Sequence, residues 1–339
     1  MIEQLKSGEV KTQSGIFKKI RKELKLLLID LDNLVTKKNL IQLQKSVSDI
    51  INSHLTEYAE ELLERLKDTG KEAASIEQKS LSNLVKSGVS INVVDNEKLW
   101  KKTRNKPLSV KNYTGDLLLE RFISGWIKPE IRRINNTIIN AYTEARSNKE
   151  LISAVLGTPS LKNNDGALIK TQRAAEAIAR TSIQHVASVS RQAVWEANKD
   201  VVKRYQWLST LDSRTSSTCR SLDGRQFEHG KGILPPIHIN CRSSTVGVLD
   251  HKYDYLSEGE TRASKDGYVD ADLTYYQWLK NQPESFQRHV LGDTRAKLLK
   301  DGGLTAEQFG RLQLDKNFQP ITLDQMRELA PDMFKRANL

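Results

Sequence analysis

Between residues 15 and 69 apolar side chains recur at Ile16, Ile20, Leu24, Leu27, Leu28, Leu31 and Leu34, then at Leu40, Leu43, Val47, Ile50, Ile51 and Leu55. Tyr58, Leu62 and Leu66 continue the series. Steps of three and four put these residues on one face of an α-helix. Gly and Pro are nearly absent from the run, and Lys37-Lys38-Asn39 marks a break between two helices. Such a stripe must be covered, so the segment predicts an antiparallel helix pair or an extended helix with a partner.

The pattern then changes several times. Residues 88–114 lack helical period and carry a basic cluster at Lys101, Lys102, Arg104 and Lys106, which predicts a connector or exposed arm. Helical spacing resumes near Gly115 through Leu118, Phe122, Trp126, Ile131, Ile134 and Ile138, and Pro129 should kink or restart that helix. After a loop with Gly157, Pro159 and Gly166, residues 168–199 form the clearest single helix, striped by Ala175, Ile178, Ala179, Ile183, Val186 and Val189. "VVKRYQWLST" then alternates imperfectly, and "GRQF" and "CRSSTVGVL" are further strand candidates. The segment "SEGETRASKDGYVDADL" reads as loop, and the tail as short helices with stops at Gly292, Gly302 and Gly303. Thr322 with Gln325 forms a capping-box pattern. The fold class expected is α+β and mostly helical: long N-terminal helices, a central helix followed by a small antiparallel sheet, and short C-terminal helices. The expected division is a helical docking region over 1–166, a central domain over 167–250, and a helical C-terminal region over 251–339.

Composition excludes some classes. No stretch approaches the roughly 20 apolar residues of a membrane helix, and "MIEQLKSGEVKTQSG" lacks the apolar core of a secretory signal. Cytoplasmic synthesis without membrane contact is the expectation. Two cysteines in 339 residues do not make a disulfide scaffold. A net charge of +11 favours anionic neighbours, with DNA, RNA and an acidic protein surface all open.

The chemistry-bearing residues cluster in "DSRTSSTCRSLDG" and "LPPIHINCRSS". His238 and Cys241 have the spacing of a metal-ligand pair, and Cys219 offers a third donor. A zinc site needs four, and Asp212, Asp223 or His229 could complete it, whereas Ser243 is a poor ligand. A Cys219–Cys241 disulfide, a Cys–His nucleophile and an HNH-like nuclease are alternatives, each lacking further parts in the sequence. The remaining reading is a metal-free clasp in which His238 and Arg242 bond loop carbonyls and carboxylates. Asp212 is a turn former, and Arg214 is placed to pair with Asp212 or Asp223. There is no phosphate-binding P-loop, dinucleotide-binding glycine fingerprint or metalloprotease helix motif.

The order of these elements resembles the phage Mu F-like minor head protein family, also described as the SPP1-type phage head morphogenesis domain. Over about residues 170–250 the resemblance rests on Asp212, Arg214, Thr215, Cys219, Asp223, Gly224, Pro235, Pro236, His238, Cys241 and Arg242. Arg180 and Thr181 resemble the family's entry motif, with Ser182 where a Glu is common and Ser243 where many relatives carry a second cysteine. The resemblance implies a minor head protein of a tailed phage, made in the host cytoplasm and located in the virion head near the portal. It implies the portal protein, the major capsid or scaffolding protein, and nonspecifically bound packaged double-stranded DNA as partners. A role in DNA packaging or ejection follows from the same source. The alternatives are a metal-dependent nuclease or toxin-like enzyme, and a nonspecific DNA-binding protein carried in the head. No complete catalytic set is visible, so a non-enzyme is expected, with zinc the one candidate cofactor.

Overall fold

The computed structural model describes residues 2–29, 37–85, 89–110, 117–256 and 259–339. Leu31, Leu34 and Gly115, used above, lie outside them. The helices of the first half are α1 (Ile2–Ile29), α2 (Lys37–Leu84), α3 (Asn96–Asn105), α4 (Leu119–Gly125), α5 (Ile127–Thr143), α6 (Asn148–Leu156) and α7 (Ala167–Ala197). Then come β1 (Val202–Leu208), α8 (Ser217–Leu222), β2 (Gln226–Glu228), β3 (Ser244–Leu249), β4 (Thr261–Ser264) and β5 (Gly267–Asp270). The tail holds α9 (Tyr275–Lys280), α10 (Glu284–Leu291), α11 (Asp293–Asp301), α12 (Ala306–Leu312), α13 (Leu323–Leu329) and α14 (Pro331–Arg336). The α+β, mostly helical class is as expected. Among the described residues no helix is long and apolar enough to cross a membrane.

Two compact units divide the chain. The first gathers residues 1–77 and 94–193 with the short run 236–241, and the second gathers 78–93, 194–235 and 242–339. The boundaries expected at 166 and 250 fall inside these units.

In the first unit the apolar stripe is the core. Phe17, Ile20, Leu24 and Leu28 of α1 are buried with Leu43, Val47, Ile51, Leu55, Leu62 and Leu66 of α2. α1 starts well before residue 15, because its buried face continues in polar residues that bond one another and α2. Gln13 Nε2 donates to Tyr58 Oη at 2.6 Å, Tyr58 Oη donates to Glu9 Oε1 at 2.9 Å, and Arg65 holds both Glu9 oxygens at 2.9 Å. A stripe counted in apolar residues misses such a seam. α2 passes through Gly70, where an added Cβ would lie 3.2 Å from both Ser190 Oγ and Val186 Cγ1 of α7, so hydrogen there permits close helix packing.

The connector expected over 88–114 contains a helix. Asp95 caps α3 by accepting from Lys98 N at 2.8 Å, and only Leu99 and Thr103 of α3 are buried. One thin apolar face is too weak a periodic signal among so many charges. Pro129 sits in the first turn of α5, where a missing N–H costs no helical bond, so the helix restarts at Ile127.

In the second unit β1 is the centre of an antiparallel sheet of order β2-β1-β3. The register with β3 shifts between Val202 and Arg204, which explains the broken alternation: Val202 and Tyr205 are both buried although three residues apart. A second core of Leu211, Tyr275, Trp278, Leu298, Phe309 and Met326 joins the tail helices. The segment read as loop contains the β4–β5 hairpin, with Ser264 paired to Gly267 around Lys265-Asp266. Its Asp-Gly was a turn signal, but strands this short and polar carry little alternation.

Candidate functional site

The sequence-predicted residues sit on the loops that leave and re-enter the β2-β1-β3 sheet. Just beyond the end of β1, Asp212 makes a tight turn, its Oδ1 accepting from Arg214 N at 3.0 Å and Thr215 N at 3.1 Å. Arg242, just before β3, closes on the same carboxylate with Nη1 to Oδ2 at 2.6 Å and Nη2 to Oδ1 at 2.8 Å. Burial alone would raise the Asp212 pKa, but the bonds and charge of Arg242, helped by Thr215 and Arg214 N–H, hold it below the usual carboxylate range. Tyr275 Oη donates to Asp212 O at 2.6 Å. Arg214 pairs with the same carboxylate at longer range: its side chain is 79% exposed and its Nε lies 3.8 Å from Asp212 Oδ2, so it contributes mainly its backbone N–H.

Thr215 Oγ1 lies 2.5 Å from Thr210 O, and Ser216 then caps α8 by accepting from Cys219 N at 3.3 Å. Ser209 links the pieces: its Oγ accepts from Trp207 Nε1 at 2.9 Å and donates to Cys219 O at 2.7 Å, with Ser243 Oγ at 3.2 Å.

Asp223 ends α8 with a fully buried carboxylate. It accepts from Ser209 N at 2.5 Å, from Tyr275 N at 2.7 Å and from both Nη atoms of Arg262 at 3.0 Å. Burial drives the pKa of Asp223 up, while Arg262 and the two backbone N–H groups act against that. Gly224 follows at φ +78°, and a Cβ there would sit 2.7 Å from Thr274 Cγ2. Only glycine meets both demands, which is the physical reason for an Asp-Gly at this corner. Arg262 of β4 and Tyr275 of α9 were not foreseen. The only local hint was the Lys-Asp-Gly turn that makes the hairpin carrying Arg262.

Pro235 and Pro236 are buried. The turn after them is closed by Cys241 N donating to His238 O at 3.2 Å, with Asn240 at φ +58°. Thr181 of α7 braces it: its Oγ1 donates to Ala177 O at 2.7 Å and accepts from Asn240 N at 3.0 Å. The threonine of the Arg-Thr-Ser stretch thus has a structural task. Both cysteines are buried. His238 and Cys241 belong to the first unit and Cys219 to the second. Asp212 is taken by Arg242, and His229 Nε2 bonds Val202 O at 2.8 Å.

Residues 132–246 match the family described as Phage Mu protein F like protein. This segment is a phage Mu F-like domain. The match runs from within α5 to β3 and contains both Asp212 and Arg242, whereas Arg262, the partner of Asp223, lies beyond it. The Mu F-like match supports a phage head morphogenesis protein of structural type. No curated protein and no solved structure matches the chain.

The basic cluster belongs to the first unit. Lys101, Lys102, Arg104 and Lys106 are exposed along α3 and at its C-terminal end, with Arg104 ion-paired to Glu120.

Proposed function

We propose that this protein is a minor head protein of a tailed phage that binds the portal during head assembly and remains in the virion head. The observation that carries the reading is the Mu F-like match at 132–246, whose motif residues knit the loops of one small sheet. Asp212 and Asp223 each spend both carboxylate oxygens on an arginine, so neither is poised as a general base; that supports a structural task for the motif. Long amphipathic helices suit docking on a helical assembly such as the portal or on capsid and scaffolding protein. The exposed lysines of α3 and the +11 charge suit packaged DNA as a sequence-independent neighbour. Co-purification of the tagged chain with portal or procapsid tests the proposal. Its absence from procapsids and from purified virions alike overturns it.

Zinc at Cys219, His238 and Cys241 is part of this proposal. Two thiols and an imidazole are the donors zinc prefers.

A further inference from the structure

A cavity of about 570 Å³ in the second unit is walled by arginines from three elements and a turn: Arg204 on β1, Arg220 on α8, Arg225 after Gly224, and Arg311 on α12. Its carboxylates are Asp223, already neutralised by Arg262, and the exposed Glu307. Among the described residues the cavity lining therefore holds four arginines against one carboxylate not already paired with an arginine.

Among the described residues, two of these arginines hold buried donors without a partner. Arg220 Nη1 donates to Val290 O at 2.7 Å and its guanidinium lies 5.8 Å from the Tyr275 ring centroid, yet its Nε is buried with no bond. Arg225 Nη2 reaches Gly310 O only at 3.4 Å, and its Nε is likewise buried with no bond. A buried charged donor left without a partner destabilises the fold around it. Burial first, and then the charge of Arg311, lower the pKa of Arg225, so these like charges repel one another. A tetrahedral oxoanion in the cavity would relieve the repulsion between these arginines. It accepts several N–H bonds, and its charge offsets the repulsion.

We propose that this arginine-lined cavity binds a phosphate group. The inference stands on the cavity alone and does not depend on the role in head assembly. The phosphate could belong to a free anion or to a nucleic-acid backbone, which present the same oxygens.

The test uses the full chain, inorganic phosphate and pyrophosphate, at constant ionic strength balanced with chloride. Equilibrium dialysis should show saturable binding at one site. Arg225→Gln should weaken it about tenfold or more, the loss expected for one charge-assisted bond. Arg311→Gln, at an exposed position that tolerates change, should also weaken it, which keeps the test decisive if Arg225→Gln fails to fold. Lys149→Gln, on a different basic cavity, should leave binding unchanged. Competition by a short DNA duplex that is lost in Arg311→Gln assigns the site to backbone phosphate, and phosphate binding without such competition assigns it to a free anion. No saturable binding, or equal binding in Arg225→Gln and Arg311→Gln, overturns the proposal, as does an equal loss in Lys149→Gln.

Discussion

Arg262 grips Asp223 with both ends of its guanidinium: Nη1 donates to Oδ2 and Nη2 to Oδ1, each at 3.0 Å. The side chains are 7% and 0% exposed, and 39 residues separate them. Arg262 also donates to Ser209 O and, at 3.2 Å, to Leu273 O. The pair therefore ties the β4–β5 hairpin to the Asp-Gly corner of the Mu F-like domain. Removing one partner strands the other charge in a dry environment. Arg262→Met should cost about 3–5 kcal/mol in urea unfolding of the full chain. A loss below about 1 kcal/mol would show that the pair does not hold the corner.

Gly224→Ala combines two penalties, a positive φ and a Cβ 2.7 Å from Thr274 Cγ2. The left-handed conformation alone costs about 1–2 kcal/mol. Thr274→Ser removes the methyl while keeping the hydroxyl that faces Gln277 Oε1 at 2.8 Å. The double variant should recover the steric part and keep the backbone part. Stability equal to wild type in Gly224→Ala is the contrary result.

His185 of α7 titrates far from its ordinary value. Burial holds it down at about 4 from 6.5; the bond to Thr103 O acts against this and the charge of Lys106 adds to it. Between these values the unfolded chain takes up a proton that the folded chain refuses. This contribution is therefore complete above pH 6.5 and is lost as pH falls toward 4, by about 3 kcal/mol in all. His185→Gln keeps a donor for Thr103 O and should flatten the slope in that window. An NMR titration placing this imidazole near 6.5 refutes the claim.

Metal content decides the nature of the thiol cluster. Protein purified without chelator should carry one zinc per chain and show two slow thiols that titrate fully once the metal is stripped. Cys241→Ser should lose the metal. Two freely titrating thiols with no metal would leave the clasp to hydrogen bonds alone.

Much of this was legible in local pattern. The stripe from Ile16 to Leu66 marked α1 and α2, the alanine-rich run marked α7, and Thr322 with Gln325 makes the capping box that caps α13. The Mu F-like motif was readable because its turn residues and prolines come in a fixed order. What escaped was polar. The Gln13–Tyr58–Glu9–Arg65 seam lengthens α1 without apolar residues, and the β4–β5 hairpin has strands too short to alternate.

Sequence alone determined the helical class, the sheet that follows α7 and the turn residues around that sheet, because helix period, caps and Asp-Gly turns are read over a few neighbouring positions. The tertiary structure decided which charges meet. Arg214, nearest in sequence to Asp212, stays largely exposed with its Nε 3.8 Å from that carboxylate, while Arg242 takes both Asp212 oxygens and Arg262 takes Asp223. No local pattern encodes such choices. They depend on which guanidinium the folded chain buries beside a carboxylate, where lost hydration makes pairing obligatory.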